Sequence, residues 1–300
     1  MDKEVTMGFL TNLINGISLG SVYAIIALGY TMVYGIAKML NFAHGDVIMV
    51  GAYICYCSMS YLGLSPLLSI LLSVAGCTVL GILIEHFAYK PLRNAPSLSV
   101  LITAIGVSYL LQNTALIIMK SDPKVFPSVV EDLPSVELFG GELRIQAITI
   151  VTVLTCIFVM LGLTYFTSRT KLGKAMRACS EDKGAAQLMG INVDMTISMV
   201  FAIGSGLAAI AGVLLCSAYP TLMPTTGAMP GIKAFTAAVL GGIGSIPGAA
   251  LGGVLLGIIE IFAKAYIGTE LADAIVFAVL IVVLLIKPSG LLGHTTTEKV

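Results

Sequence analysis

The sequence has few charged residues and no tryptophan at all. Only 11% of its 300 residues are charged and 57% are hydrophobic, whereas a soluble domain carries about 25% charged residues. The mean hydropathy is +1.00. Several runs of about 16 to 28 residues have few or no charges, which is the length that a helix needs to cross a bilayer core. A soluble globular protein is therefore excluded. The sequence predicts an all-α polytopic membrane protein, in which tyrosine must supply any aromatic belt.

Motifs of an enzyme or of an ATP-driven motor are also missing. A phosphate-binding loop needs a glycine upstream of a Gly-Lys pair and a hydroxyl residue after it, and Gly173-Lys174 has neither. No nucleophile and base have a spacing that suits an intramembrane enzyme, and His44 has no second His or Cys within helical reach for a metal. We expect no catalysis, no cofactor and no nucleic-acid partner. Small core side chains are the predicted role of the six cysteines, Cys55, Cys57, Cys77, Cys156, Cys179 and Cys216.

The apolar runs predict one transmembrane domain, residues 1–300, with about eight crossings, and seven or nine also fit. The first run, from about Gly8 to Ala37, is long enough to cross once or to dip and return. It follows both acidic and basic residues and precedes no small-residue cleavage site, so we expect no removable signal peptide. Residues 120–146 form a polar stretch with three prolines, which is typical of a solvent-exposed loop.

Lysine and arginine residues determine the predicted orientation, because they are retained on the cytoplasmic side. Lys90 and Arg93 follow the third run, and the most highly charged segment, 168–192, follows the fifth. Two crossings separate these groups, so both face the cytoplasm. The 120–146 loop then lies outside, and Lys287 places the C-terminus in the cytoplasm. The side of the N-terminus stays open.

Two glycine-rich polar breaks interrupt apolar segments and suggest an internal repeat. One contains "NFAHGD", residues 41–46, and the other contains "GSIPG", residues 244–248. Polar backbone at membrane depth is tolerated only where protein buries it or where it lines a cavity. One interpretation is therefore a gate or pathway, with candidate residues Asn41, His44, Gly45, Gly244 and Pro247. The other is structural, with the side chains of Asn41 and Asp46 capping helix ends and Gly45 allowing a turn.

The charged segment 168–192 has the composition of two short helices joined by a tight turn, with Ser180 as a possible helix cap. It is either a solvated loop between spans or a rigid knob that docks on a cytoplasmic partner. Its length exceeds what a simple connection requires.

Ionisable residues within the apolar runs are few. Glu260 and Lys264 are four residues apart, so they can pair on one helix face, and we favour a structural pair over a proton relay. The other candidates for membrane depth are Asp46, Glu85 and His86. Because ionisable residues are so few, the apolar runs show no pattern typical of a transporter that is coupled to an ion gradient.

Several longer strings resemble, along nearly the whole chain, the LivH-type permease subunits of bacterial ABC importers for branched-chain amino acids. They include "NGISLGSVYAIIALGYTMVYGIAKMLNFAHGDVIMVGAY", "GKAMRACSEDKGAAQLMGINVD" and "GIKAFTAAVLGGIGSIPGAALGGVLLGIIE". The resemblance implies a type II importer-like permease in the bacterial inner membrane. It also implies a heterodimer with a LivM-type permease, two cytoplasmic ATP-binding subunits of the LivG and LivF type, and an external substrate-binding protein. The stretch 174–190 occupies the ATPase-coupling position of that family, with interface residues expected to be Arg177, Glu181, Asp182, Ala185 and Gly190.

Some alternatives remain open at this point. Similar permeases act on urea, short amides or other amino acids, and the permeases could form a homodimer instead of a heterodimer. A ribose-type sugar permease shares the broken segments but fits the strings less well. A stand-alone secondary transporter would require uptake by this chain alone, with dependence on Asp46 or Glu260.

Overall fold

The computed structural model describes residues 3–93, 95–130, 134–138 and 143–293, and it is almost entirely helical. Parts of the 120–146 loop, residues 131–133 and 139–142, and the C-terminal residues 294–300 lie outside the described ranges. The helices are α1 (Lys3–Ala37), α2 (His44–Ser60), α3 (Pro66–Ile84), α4 (Ser97–Met119), α5 (Ala147–Arg169), α6 (Lys171–Glu181), α7 (Lys183–Leu188), α8 (Val193–Ala218), α9 (Ala228–Gly241), α10 (Ile246–Tyr266) and α11 (Thr269–Ile286).

Seven helices within the described residues are long and apolar enough to cross a membrane: α1, α3, α4, α5, α8, α10 and α11. The shorter helices α2, with 17 residues, and α9, with 14 residues, supplement them. The first apolar run is one uninterrupted helix, so a dip and return is wrong. Pro66 opens α3 in the first turn, where its missing N–H leaves no hydrogen bond unmade.

The buried centre of the bundle consists of α1 and α8, while α3, α4, α5 and α11 present most of their apolar surface outward. Glycines allow α1 to approach its neighbours closely, as helices in lipid require. A Cβ added to Gly20 would lie 2.7 Å from the Val254 Cα of α10. A Cβ added to Gly253 would overlap the Ala24 backbone of α1. The α1–α10 contact is therefore a seam of backbone against backbone.

The two ends of the bundle differ in structure. At one end, α6 and α7 connect α5 to α8, and we call it the α6–α7 end. At the opposite end, β1 (Lys124–Val125) pairs antiparallel with β4 (Thr221–Leu222), and β2 (Val136–Leu138) pairs with β3 (Leu143–Ile145). The β1–β4 pair thus joins the segment after α4 to the segment after α8, whereas β2 and β3 form a hairpin-like pair between α4 and α5.

Helices α2 and α9 begin inside the bundle. A Cβ added to Gly29 of α1 would lie 2.6 Å from His44 Nε2, so α2 starts level with Gly29. That level is eight residues, or about 12 Å, before the end of α1. The start of α9 is beside it, because a Cβ added to Gly45 would lie 2.7 Å from the Gly227 carbonyl oxygen. Both helices therefore have their N-termini in the interior and run in opposite directions.

Candidate functional site

The first break, residues 38–43, joins α1 to α2 and turns the chain back into the bundle. Lys38 follows the last residue of α1 and has a φ of 57°. This left-handed conformation is unfavourable for a residue with a side chain. It closes the helix, because the Lys38 N–H donates to the Tyr34 carbonyl at 3.0 Å.

A tyrosine holds the middle of the first break. Tyr89 lies on a π-helical turn, Glu85–Tyr89, that extends α3. Its hydroxyl is 3.0 Å from Asn41 Oδ1 and 3.4 Å from the Leu40 carbonyl oxygen. Tyr89 and Asn41 are both buried, and the Tyr89 ring packs on Phe201 of α8 with a centroid distance of 5.0 Å. In this conformation Asn41 is therefore bound to the extension of α3.

His44, the first residue of α2, is almost completely buried, with 1% of its surface exposed. Its ring meets the Tyr30 ring edge-on at a centroid distance of 4.6 Å, and its Nε2 atom has no hydrogen-bond partner within the described residues. Gly29 and Gly204 provide the space beside the ring. His44 therefore lies packed between α1 and α8 in this conformation, and its role in a pathway stays a prediction.

The structural interpretation of the same motif is wrong in its details. The N-cap position of α2 is Ala43, with no side-chain capping hydrogen bond. Asp46 instead accepts a hydrogen bond from Gln112 Nε2 of α4 at 2.8 Å. Gly45 does not form a turn but lies within α2, where it allows close contact with Gly227. The motif's polar residues reach neighbouring helices that are distant in sequence.

The second break, residues 242–245, joins α9 to α10 at the α6–α7 end and is formed mainly by backbone. Gly242 and Gly244 have φ values of 102° and 99°, a region that glycine adopts readily. Ser245 caps α10 by accepting a hydrogen bond from the Gly248 N–H at 3.2 Å. Pro247 is in the first turn of α10 and is exposed.

The C-terminal segment fixes this second break. The Leu291 N–H donates to the Leu240 carbonyl at 2.9 Å, and the Leu292 N–H donates to the Gly241 carbonyl at 2.9 Å. These bonds satisfy carbonyl groups that the end of α9 leaves without a helical partner. The residues after α11 therefore lie at the same end of the bundle as the second break.

The two breaks are neighbours, as a Cβ added to Gly35 would lie 3.3 Å from Gly244 Cα. A crevice of about 10 Å³ lies between them, roughly the space of one water molecule. Asn41 and Phe235 are among its lining residues. Exposed or half-buried residues continue from it along one side of α9 and into the segments that flank this helix. We call them the α9 strip: Thr225, Met229, Ile232, Phe235, Val239, Ile243 and Gly244.

The segment 168–192 forms two short helices, α6 and α7, as predicted. Helix α6 is amphipathic and buries Gly173, Met176 and Cys179 at a spacing of three residues, which places them on one helix face. Asp182, rather than Ser180, is the cap of α7, because its carboxylate accepts from the N–H groups of Gly184 at 2.7 Å and Ala185 at 3.0 Å. The Ser180 hydroxyl instead donates to the carbonyl of its own helix at Arg177.

The tip of α7 exposes large apolar side chains. Leu188 is 90% exposed and Met189 is 83% exposed. Four predicted coupling residues surround or precede them and are also exposed: Arg177, Glu181, Ala185 and Gly190. Gly190 has a φ of 80° and ends the turn after α7. Such paired apolar side chains on a charged segment are typical of an interaction site.

The other face of α7 reaches the first break. Lys183 Nζ donates a hydrogen bond to the Ala37 carbonyl at 2.7 Å, at the C-terminus of α1. A cation is favourable there, because the last carbonyl groups carry partial negative charge. Burial, followed by the positive charges of Arg93 and Lys38, lowers the pKa of the Lys183 amine.

An ionic cluster lies beside this contact. Arg93 donates to Glu85 and to Asp194 in the first turn of α8, and Lys90 lies 3.2 Å from the Asp194 carboxylate. Ser198 donates to Glu85 at 2.6 Å. The cluster therefore joins the extension of α3 to the start of α8, immediately after α6 and α7.

A second ionic cluster lies within the bundle around Glu260. Its carboxylate is 2.6 Å from Lys264, as the four-residue spacing predicts, and 2.8 Å from Lys233 of α9. The Tyr23 hydroxyl of α1 donates to it at 2.9 Å, and Lys233 also pairs with Asp273 of α11 at 2.6 Å. Because Glu260 is only 1% exposed, the cluster joins α1, α9, α10 and α11 as a structural unit.

Sequence reasoning missed Lys183, Tyr89, Leu188 and Met189. Lys183 counted only as one of the basic residues of the segment 168–192 that predict the orientation, because its partner is 146 residues away in the sequence. The "LM" pair before Gly190 was a visible signal, because two large apolar residues interrupt the most polar segment of the chain. For Tyr89 the only signal was a tyrosine among charged residues at the end of an apolar run.

Comparison with known proteins gives consistent matches over most of the chain. Residues 12–284 match the family described as "Branched-chain amino acid transport system / permease component". The chain is 45% identical to the high-affinity branched-chain amino acid transport system permease protein BraD of Pseudomonas aeruginosa, over 97% of this chain and 98% of BraD. It is 46% identical to the corresponding permease protein LivH of Escherichia coli K12, over 99% of this chain and 100% of LivH.

A sugar permease gives a shorter match. The fructose import permease protein FrcC of Rhizobium meliloti is 30% identical over 42% of this chain and 37% of FrcC. The full-length matches and the seven apolar helices together identify a multi-pass membrane protein. This chain belongs to the family of permease components of branched-chain amino acid transport systems.

Proposed function

We propose that this chain is one of two permease subunits in an ATP-driven importer of leucine, isoleucine and valine. The second permease is a related LivM-type chain, two LivG- and LivF-type subunits bind ATP in the cytoplasm, and an external binding protein delivers the substrate. The observation that carries this proposal is the 46% identity to LivH over 99% of this chain. Partial similarity to FrcC covers less than half of the chain and supports a sugar substrate less well.

The orientation that fits this role places the α6–α7 end in the cytoplasm. Lys90 and Arg93 lie at that end with five basic residues of the segment 168–192, and such an excess is retained on the cytoplasmic side. The segment 287–293 contacts the second break at the same end, so the C-terminus is cytoplasmic as well. The 120–146 loop then faces outward, on the side of the binding protein.

The tip of α7 is the proposed contact with an ATP-binding subunit. Leu188 and Met189 supply apolar contact area, and the neighbouring exposed residues supply charge and shape, namely Arg177, Glu181, Ala185 and Gly190. Asp182 acts indirectly by capping α7. ATP binding in the partners moves α6 and α7, and the bundle then opens toward the opposite side of the membrane. Such coupling requires contacts that differ between the two states.

The α9 strip is the proposed wall of the translocation path, facing the second permease. Its exposed members begin near the outer segment β4 and reach Gly244 at the cytoplasmic end, beside Pro247. Met229, Ile232 and Phe235 suit the apolar side chain of a branched amino acid. Asn41, His44 and Gly45 form the layer behind this strip, where α2 and α9 meet.

Reconstitution tests the proposal. The chain is coexpressed with its related permease and the two ATP-binding subunits, inserted in proteoliposomes and supplied with the binding protein. We expect ATP-dependent uptake of labelled leucine, and binding of leucine rather than urea to the external protein. Leu188→Asp should lower ATP-driven uptake by roughly tenfold, as expected for a central interface residue. Leu98→Asp is the matched control, since Leu98 is 65% exposed at the start of α4, at the same end.

Two results would contradict this function. Uptake by the chain reconstituted alone on an ion gradient would indicate a secondary transporter. Binding of urea or a sugar to the external protein, with no binding of leucine, would reject the proposed substrate class while leaving the importer intact.

A further inference from the structure

The backbone of the first break is hydrogen-bonded mainly at its two ends. Lys38 bonds backward to α1, the His44 N–H donates to the Asn41 carbonyl at 3.2 Å, and the N–H groups of Asp46 and Val47 donate to the Ala43 carbonyl. Lys38 also has the left-handed conformation described above. An unfavourable backbone conformation persists only where the surrounding structure determines it. The shape of this break therefore depends on groups outside it.

One of these outside groups belongs to α7. Lys183 Nζ is 2.7 Å from the Ala37 carbonyl oxygen, immediately before the break. Arg93 and Lys38 also bring positive charge near this amine. The partial negative charge at the C-terminus of α1 therefore compensates the positive charge of Lys183. Since α7 is only six residues long and carries Leu188 at its end, movement of the tip is transmitted over a short distance to Lys183.

The other outside group belongs to the extension of α3. The Tyr89 hydroxyl contacts Asn41 and Leu40 in the middle of the break. Four residues later, Arg93 pairs with Asp194 at the start of α8, which directly follows α7. The break is therefore connected to the segment 168–192 in two ways. Lys183 connects it directly to α7, and Tyr89 connects it through the extension of α3 to the start of α8.

We propose that Lys183 and Tyr89 are two positioning residues that clamp the first break, residues 38–43, to the elements moved by the ATP-binding subunits. Through these clamps, displacement of α7 changes the position of α2, and with it His44 and Gly45 beside the start of α9. This inference rests on the proposed function, and it names the groups through which the coupling acts. Neither residue contacts the transported substrate.

The test measures leucine transported per ATP hydrolysed in the reconstituted complex. Lys183→Met keeps the chain length but removes the donor, and Tyr89→Phe keeps the ring against Phe201 but removes the hydroxyl. Each should lower the ratio by about three- to tenfold, as loss of one hydrogen bond permits, with ATP hydrolysis and subunit copurification unchanged. The double variant should fall further than either single variant. Lys183→Arg, which retains a charged donor, should restore most of the ratio.

Matched controls separate the clamps from general effects. Lys171→Met removes an equal charge from an exposed site on α6, before the coupling stretch 174–190, and Tyr165→Phe removes a hydroxyl from an exposed site on α5. Both should behave as wild type. If Tyr89→Phe lowers the membrane yield, Asn41→Ala tests the same hydrogen bond from the other side and should lower the ratio equally.

The outcomes distinguish the two proposals. Absence of ATP-driven leucine uptake by the wild-type complex would overturn the proposed function and the clamps with it. Normal uptake by wild type together with an unchanged ratio in Lys183→Met, Tyr89→Phe and the double variant would overturn the clamps alone. An equal loss in the Lys171 and Tyr165 controls would also reject them.

Discussion

The two breaks lie side by side, but different forces hold them. Residues 38–43 are held by side chains from other elements, Lys183 and Tyr89. Residues 242–245 are held by glycine conformations, a helix cap and backbone hydrogen bonds to the C-terminal segment. Side-chain contacts between elements can exchange when those elements move, whereas a backbone-determined turn keeps its shape. We therefore infer that the first break is the moving part and the second is the fixed wall against which it moves.

The largest expected loss of stability comes from breaking the ionic cluster that holds α9, on the fixed side of the two breaks. Glu260→Gln removes the charge that Lys233 and Lys264 share in the buried cluster. Lys233 is buried and would keep only its contact with Asp273, so the free energy of unfolding should fall by about 3 kcal/mol, the lower end for breaking a buried ion pair. Unfolding can be followed by reaction of the buried cysteines with a fluorogenic maleimide, because five of the six are buried. Glu270→Gln at an exposed site is the control. An equal change in both variants would show that α9 is not fixed by this cluster.

An intermediate effect is expected within the second break. Gly242→Ala places a Cβ against the Gly293 backbone at a φ of 102°, and should lower the free energy of unfolding by about 2–3 kcal/mol. Gly244→Ala has a similar φ, but its Cβ meets nothing within 4 Å. It should lower that free energy by only about 1 kcal/mol, from backbone strain alone. Equal losses measured by cysteine reaction would mean that packing of the C-terminal segment does not hold this break.

The smallest effect is expected at the cap of α7, on the moving side. Asp182→Ala removes the acceptor of two N–H groups and should destabilise this short helix by about 1 kcal/mol. Hydrogen exchange of the α7 amides should then be about fivefold faster. Ser180→Ala is the matched control, since Ser180 does not cap α7. Unchanged protection in Asp182→Ala would show that the position of Lys183 does not depend on this cap.

The spans could be predicted from sequence because burial in lipid requires long apolar runs and internally satisfied backbone groups. The Glu260–Lys264 pair and the two helices of the segment 168–192 were predictable for a similar reason, as each depends on local spacing. Hydropathy alone could not decide whether the first apolar run crosses the membrane once or dips into it and returns. The structure shows one helix there. It is buried because α8 and α10 pack against it, and no local sequence pattern indicates that packing.

The candidate site was much less predictable. The motif "NFAHGD" was recognised, but the partners of its residues are far away in sequence: Tyr89 for Asn41, Gln112 for Asp46 and Gly227 for Gly45. The spacing of residues along one helix gives no information about contacts between distant segments. The structural interpretation therefore gave Asn41 and Asp46 a local role as helix caps. The same limit explains why Ser180 was assigned the cap that Asp182 provides. The roles of Asn41, His44, Gly45, Gly244 and Pro247 in transport stay predictions.

Hydrogen exchange of the complete complex, compared with and without ATP and vanadate to trap the nucleotide-bound state, tests the difference between the breaks most directly. We predict that the amides of residues 38–43 change their exchange rate on trapping, whereas those of residues 242–245 do not. The change at residues 38–43 should be absent in the Lys183→Met, Tyr89→Phe double variant, with both ATP-binding subunits still bound. Equal changes in both breaks, or a change confined to residues 242–245, would contradict the account.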